Sequence, residues 1–85
     1  NHPNPFNPVT TIPYRLYKRV KVKLAIYDIL GREVELLVDE EQDAGHYITH
    51  WNGRSHEGHE LPNGVYFARL IIGNFALTRK LTFLK

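Results

Sequence analysis

The chain has 85 residues, 42% of them apolar and 24% charged, with a formal net charge of +2. That length allows one domain with a small core, and so mild a charge gives no argument for nucleic acid. No apolar stretch approaches membrane-spanning length, and the absence of Cys removes disulfides and thiolate metal sites together.

Small secreted domains usually lean on disulfides, so this one must rely on strand pairing and aromatic packing. The sequence contains no Met and reads as a processed piece of a longer precursor.

Residues 1–8 hold three prolines within six positions, which forbids a helix and removes three backbone donors. An extended arm over residues 1–9 is expected, with Pro3 and Pro5 stiffening it and Phe6 as its apolar anchor. A single domain then fills residues 10–85. From Thr10 the pattern has period two, with Ile12, Tyr14 and Leu16 on one face. Pro13 lacks a donor, which places this strand at an edge. Val20, Val22, Leu24 and Ile26 alternate with Lys21, Lys23, Ala25 and Tyr27, the clearest half-buried strand in the sequence. Residues 28–32 end it in a turn, where Gly31 supplies a positive φ.

Residues 33–38 read as a short strand with Val34, Leu36 and Val38 on one face. Glu, Leu and Gln favour helix over residues 33–42, but strands on both sides favour strand. An acidic loop over 39–45 follows. Residues 46–51 form the next strand, with Tyr47, Thr49 and Trp51 together. Asn52-Gly53 opens a long polar loop that reaches Asn63-Gly64. In residues 65–72, Val65, Phe67 and Arg69 face one way and Tyr66, Ala68 and Leu70 the other. Gly73-Asn74 has the composition of a two-residue hairpin turn, and residues 75–84 return as the last strand. Regular turn signals and no clear helix predict an all-β fold, a β-sandwich of about seven antiparallel strands. Trp51 and Phe67 are the expected core aromatics.

Several residue groups fall in the order of one family. Asn1-His2-Pro3-Asn4-Pro5-Phe6-Asn7-Pro8 resembles the Asn-Tyr-Pro-Asn-Pro-Phe-Asn-Pro opening of the type A C-terminal sorting domains of the type IX secretion system. Tyr27-Asp28-Ile29-Leu30-Gly31-Arg32-Glu33-Val34 resembles their Tyr-Asp-x-x-Gly-Arg-x-Val signature. Ala44-Gly45, Trp51-Asn52-Gly53-Arg54, Gly58 and Asn63-Gly64-Val65-Tyr66-Phe67 follow, and Lys80-Leu81-Thr82-Phe83-Leu84-Lys85 is similar to the family's closing segment. His2 stands where Tyr is usual, and Asn52 where Asp is commoner. Related sequences include the immunoglobulin-like domain of the flagellar hook-capping protein. The resemblance implies an immunoglobulin-like sandwich at the end of a secreted bacterial protein. An outer-membrane export machinery reads such a domain, which is often removed once the cargo reaches the cell surface. It places the export motifs at Asp28, Gly31 and Arg32 and at Lys80 and Lys85.

The residues that carry chemistry elsewhere have plainer readings here. His46 and His50 share a strand face but stand ~13 Å apart along it, too far to share a metal. His56 and His59 lie on the long loop with Glu57 and Glu60, without a fixed metal-ligand spacing. Solvated loop histidines account for them, and no metal or other cofactor is expected. Ser55, the single Ser of the chain, has His56 and Glu57 beside it. Sequence neighbours on a loop do not make a hydrolytic triad, and no oxyanion hole is suggested. Seven of nine carboxylates lie between Asp28 and Asp43, and five of eleven Lys and Arg between Arg15 and Lys23. Two solvated faces meeting across neighbouring strands explain that split, with complementary partner patches as the sharper alternative.

The sequence therefore points to a non-enzymatic sorting domain, secreted or at the bacterial cell surface, whose partner is a protein export machinery. The rival is a structural subunit of an extracellular filament, assembling with copies of itself through the Pro3-Pro5-Phe6 arm or an edge strand. A carbohydrate-binding accessory role is a weaker third.

Overall fold

The computed structural model describes residues 9–84. Pro3, Pro5, Phe6 and Lys85 lie outside them. Six strands follow one another: β1 (Thr10–Leu16), β2 (Val20–Tyr27), β3 (Glu33–Gln42), β4 (Gly45–Trp51), β5 (Gly64–Ile72) and β6 (Phe75–Phe83). β1 pairs with β4 in a two-stranded sheet, and the order β3-β2-β5-β6 makes a four-stranded one. Every pairing is antiparallel. The result is an all-β sandwich with six strands among the described residues, against the seven or so expected.

Alternation along the strands sets the core. Ile12 and Leu16 of β1 and Trp51 of β4 face Val22, Leu24 and Ile26 of β2, Tyr66, Ala68 and Leu70 of β5, and Leu81 and Phe83 of β6. Trp51 is 1% exposed and stands at the centre of an aromatic cluster. Its ring lies 5.2 Å from that of Tyr66 and 5.3 Å from that of Phe83. The indole N–H donates to the carbonyl of Arg54 at 3.0 Å, so the one polar atom of this side chain is satisfied.

Phe67 is not part of this core. It is half-buried on the outer face of the four-stranded sheet, and Tyr66 takes the place expected of it. Both rows of β5 are apolar, so alternation finds two faces without telling which one meets Trp51. Tyr66 can point inward because its hydroxyl donates to the carbonyl of Pro62 at 2.6 Å.

β3 differs most from expectation. The strand runs on to Gln42, through most of the expected acidic loop, and residues 33–42 are not helical. Its register against β2 shifts between Leu24 and Ala25 and again between Ile26 and Tyr27. These irregularities break the period of two, as bulges do. Leu36 is turned out to solvent, while Leu37 joins Val34 and Val38 against the core.

The acidic and basic clusters meet along the β2–β3 ladder. Arg19 pairs with Asp43 at 2.6 Å, Lys21 with Asp39 at 3.2 Å and Lys23 with Glu33 at 3.6 Å. These pairs are exposed and each contributes little to stability. At the same end, Tyr14 stacks on Tyr47, its partner across β1 and β4, at 5.2 Å. The Tyr14 hydroxyl donates to Gln42 at 2.6 Å and ties the two sheets together.

Candidate functional site

The chain leaves β2 at Tyr27 and must reverse within five residues, and Asp28 organises that reversal. Its Oδ1 accepts the N–H groups of Leu30 and Arg32, each at 2.9 Å. Its Oδ2 accepts Nε of Arg32 at 2.8 Å. On the backbone, the Asp28 N–H donates to the Arg32 carbonyl and the Gly31 N–H to the Asp28 carbonyl, both at 3.0 Å. Gly31 sits at φ 82°, a left-handed conformation that other residues adopt only with strain. The Arg32 N–H, foremost, holds the Asp28 carboxyl below its usual pKa, with the Arg32 side chain and the Leu30 N–H assisting against partial desolvation. Asp28, Gly31 and Arg32 are thus the frame of one turn. What the turn presents is Ile29 and Leu30, 70% and 71% exposed.

The turn adjoins surface on both sides. On one side, Tyr27, Ile29, Gly31, Phe67, Arg69 and Thr78 border a shallow hollow on the outer face of the four-stranded sheet. The register brings Tyr27 opposite Phe67 and Phe67 opposite Lys80. Lys80 therefore lies two strands, roughly 10 Å, from Tyr27 on the same face. The fold thus gathers Asp28, Gly31, Arg32 and Lys80 at one end of one sheet, with Phe67 between them. Sequence reasoning missed Phe67 as a surface aromatic. Ile29 and Leu30, an apolar pair inside a turn signature, were the readable signal for an exposed contact.

On the other side of the turn, a cleft of about 560 Å³ separates it from the long loop. Its floor includes Val34, Leu61 and Tyr66, and its rim Arg32, His56 and Glu57. Burial, first, and the negative charge of Asp28 raise the pKa of the Tyr66 phenol. The long loop is ordered by its own polar groups. The N–H of His56 donates to the Val34 carbonyl at 2.9 Å, and that of Leu61 to the Gly53 carbonyl at 3.0 Å. Arg54 reaches the Gly58 carbonyl at 2.9 Å and Glu60 at 3.3 Å.

Ser55 serves this loop. Its hydroxyl accepts the N–H groups of Glu57 and His59, both at 3.3 Å, a local cap on the turn. His59 lies 3.7 Å from Glu57, and His50 contacts the Thr11 hydroxyl at 3.3 Å. Among the described residues, no three His, Asp or Glu side chains gather closely enough to hold a metal ion. No helix there is long and apolar enough to cross a membrane.

Two facing antiparallel sheets around an aromatic core define an immunoglobulin-like domain. More particularly, the chain belongs to the FlgD Ig-like domain family, whose model matches residues 10–70. That match takes in the 28–32 turn, the long loop and most of β5, and stops short of β6 and Lys80. Comparison with curated proteins and with solved structures finds no match.

Proposed function

We propose that this chain is a sorting domain: a folded tag that an outer-membrane protein export machinery recognises, directing an attached protein to the bacterial cell surface or beyond. The observation that carries the reading is the 28–32 turn. Five hydrogen bonds brace it, while Ile29 and Leu30 project into solvent. An apolar pair held rigid at a turn has little ordering entropy left to lose on binding, which suits a contact made to a partner. The ordered run of motifs shared with type IX sorting domains supports the same reading. Asp28, Gly31 and Arg32 build the turn, Ile29 and Leu30 make contact, and Lys80 and Lys85 provide charge beside it. The reading involves no catalysis, cofactor or nucleic acid.

The test is a reporter protein fused to the N-terminus of this chain, in a host that has the type IX machinery. Export of the fusion, with retention of the bare reporter, is the expected result. Equal retention of both would refute the reading.

A second reading, a subunit that assembles copy to copy, is favoured by β6. That strand is paired with β5 through nine residues without a register shift, and its other edge pairs with no described strand. Sedimentation of the purified chain separates the two, because a sorting domain stays monomeric and a subunit does not.

A further inference from the structure

Two strands lie over four, so part of the inner face of the larger sheet has no second layer. Among the described residues, β1 pairs only with β4 and β6 only with β5. Phe75, Leu77 and Arg79 belong by alternation to the same inner row as Leu81 and Phe83. The last two are buried, whereas Phe75 is 59% and Leu77 51% exposed. Between β1 and this half of β6 runs a groove, with Pro13 and Arg15 on one bank and Leu77 and Arg79 on the other. Leu70 and Ile72 form its floor, and it continues past Arg15 to Tyr17, Lys18 and Phe75.

The charge along this groove has one sign. Arg15, Lys18 and Arg79 line it, and no Asp or Glu does so among the described residues. Arg19, Lys21, Lys23, Arg32 and Arg54 each have a carboxylate partner. Arg15, Lys18 and Arg79 make no ion pair among the described residues. Arg15 instead lies over the ring of Tyr17, 4.8 Å from its centre. Three of the cations left without carboxylates thus line one apolar channel, whereas Arg69 and Lys80, which also make no ion pair among the described residues, lie on the outer face of the sheet.

We propose that this groove docks an extended segment of a partner protein in which apolar residues alternate with Asp or Glu. Laid along β1, such a strand turns one row of side chains onto Leu70, Leu77 and Phe75, and the other toward the rim. Its carboxylates meet Arg15, Lys18 and Arg79, which sets partner choice and makes binding salt-dependent. Pro13 offers no N–H, so backbone pairing with β1 forms on either side of it. The groove opens on the inner face of the sheet, whereas Phe67 and Lys80 are on the outer one, so the inference does not rest on the export reading.

The experiment titrates the full isotope-labelled chain with a synthetic peptide of about ten residues, a strand's length, alternating Val with Glu. Amide shifts confined to β1 and the first half of β6 are expected. A peptide with Lys in place of Glu, and the chain carrying Arg15→Gln with Arg79→Gln, should each bind at least about tenfold more weakly. Both arginines are exposed, so the melt of that variant should match the parent. Equal binding of the Lys peptide, no binding, or shifts centred on the 28–32 turn would overturn the proposal. So would nuclear Overhauser contacts between Phe6 and Leu77 in the free chain, which would mean that its own N-terminal segment fills the groove. Concentration-dependent self-association protecting the same amides would overturn it in favour of a second copy.

Discussion

Gly53 and Phe83 share one volume: a Cβ added at Gly53 would lie 1.9 Å from Cζ of the Phe83 ring. Gly53 follows Trp51 by two residues, and Phe83 packs on Trp51 at 5.3 Å. The last strand is therefore locked over the start of the long loop by the absence of a side chain. Gly53 also sits at φ 77°, where other residues are strained.

Gly53→Ala should lower stability by about 2–4 kcal/mol, from overpacking and backbone strain together. Urea melts measure this. Adding Phe83→Leu to Gly53→Ala should cost less than the sum of the two single changes, because the smaller side chain relieves the clash. Strict additivity would show that the two positions do not meet.

Trp51→Ala should cost ~3–5 kcal/mol, as for other large buried aromatics. Trp51→Phe keeps the apolar contacts with Tyr66 but leaves the Arg54 carbonyl without its donor, a loss of about 1–2 kcal/mol. An unchanged urea midpoint in the Ala variant would contradict the buried position.

The Asp28 carboxyl has a lower pKa in the folded chain than in the unfolded one, with the Arg32 N–H as the first cause. The stability it contributes is complete above the unfolded value of ~4 and is lost as pH falls through the folded value. Stability measured from roughly pH 5 down to pH 2 should therefore fall less steeply in Asp28→Asn than in the parent. Parallel profiles would show that the turn does not sense this charge.

Ser55→Ala removes an acceptor shared by two backbone N–H groups. The expected cost is about 0.5–1.5 kcal/mol, read from the melt. No ester or glycoside hydrolysis dependent on Ser55 is expected. Turnover that stops on this substitution would contradict the structural role given to it.

Much of this architecture is legible in the sequence because one face of a strand is wet. β2 alternates Lys with Val and Leu, and β4 alternates His with Tyr and Trp, so inward and outward rows separate cleanly. Asp28 and Gly31 announce their turn by residue type, as Gly73 and Asn74 do. Legibility fails where both faces are apolar, and Phe67 and Tyr66 exchange places for that reason. It also fails at β3, whose irregular pairing moves Leu36 outward and Leu37 inward, since a bulge leaves no mark on composition. The groove between β1 and β6 could not be read at all, because its charge pattern exists only once distant strands meet. Of the sites taken from family resemblance, the turn and Lys80 share one end of a sheet, while Lys85 lies outside the described residues, as does the Pro3-Pro5-Phe6 arm read from its prolines.

The most direct test of the sorting proposal alters what the turn presents without touching its frame. Ile29→Thr with Leu30→Thr replaces two exposed side chains and leaves the Asp28, Gly31 and Arg32 hydrogen bonds in place, so the melt should match the parent within about 0.5 kcal/mol. Carried on an exported reporter, this variant should remain inside the cell. The companion Lys80→Ala with Lys85→Ala should likewise fold and be retained. Normal export of both folded variants would contradict the claim that this end of the sandwich is what the machinery reads.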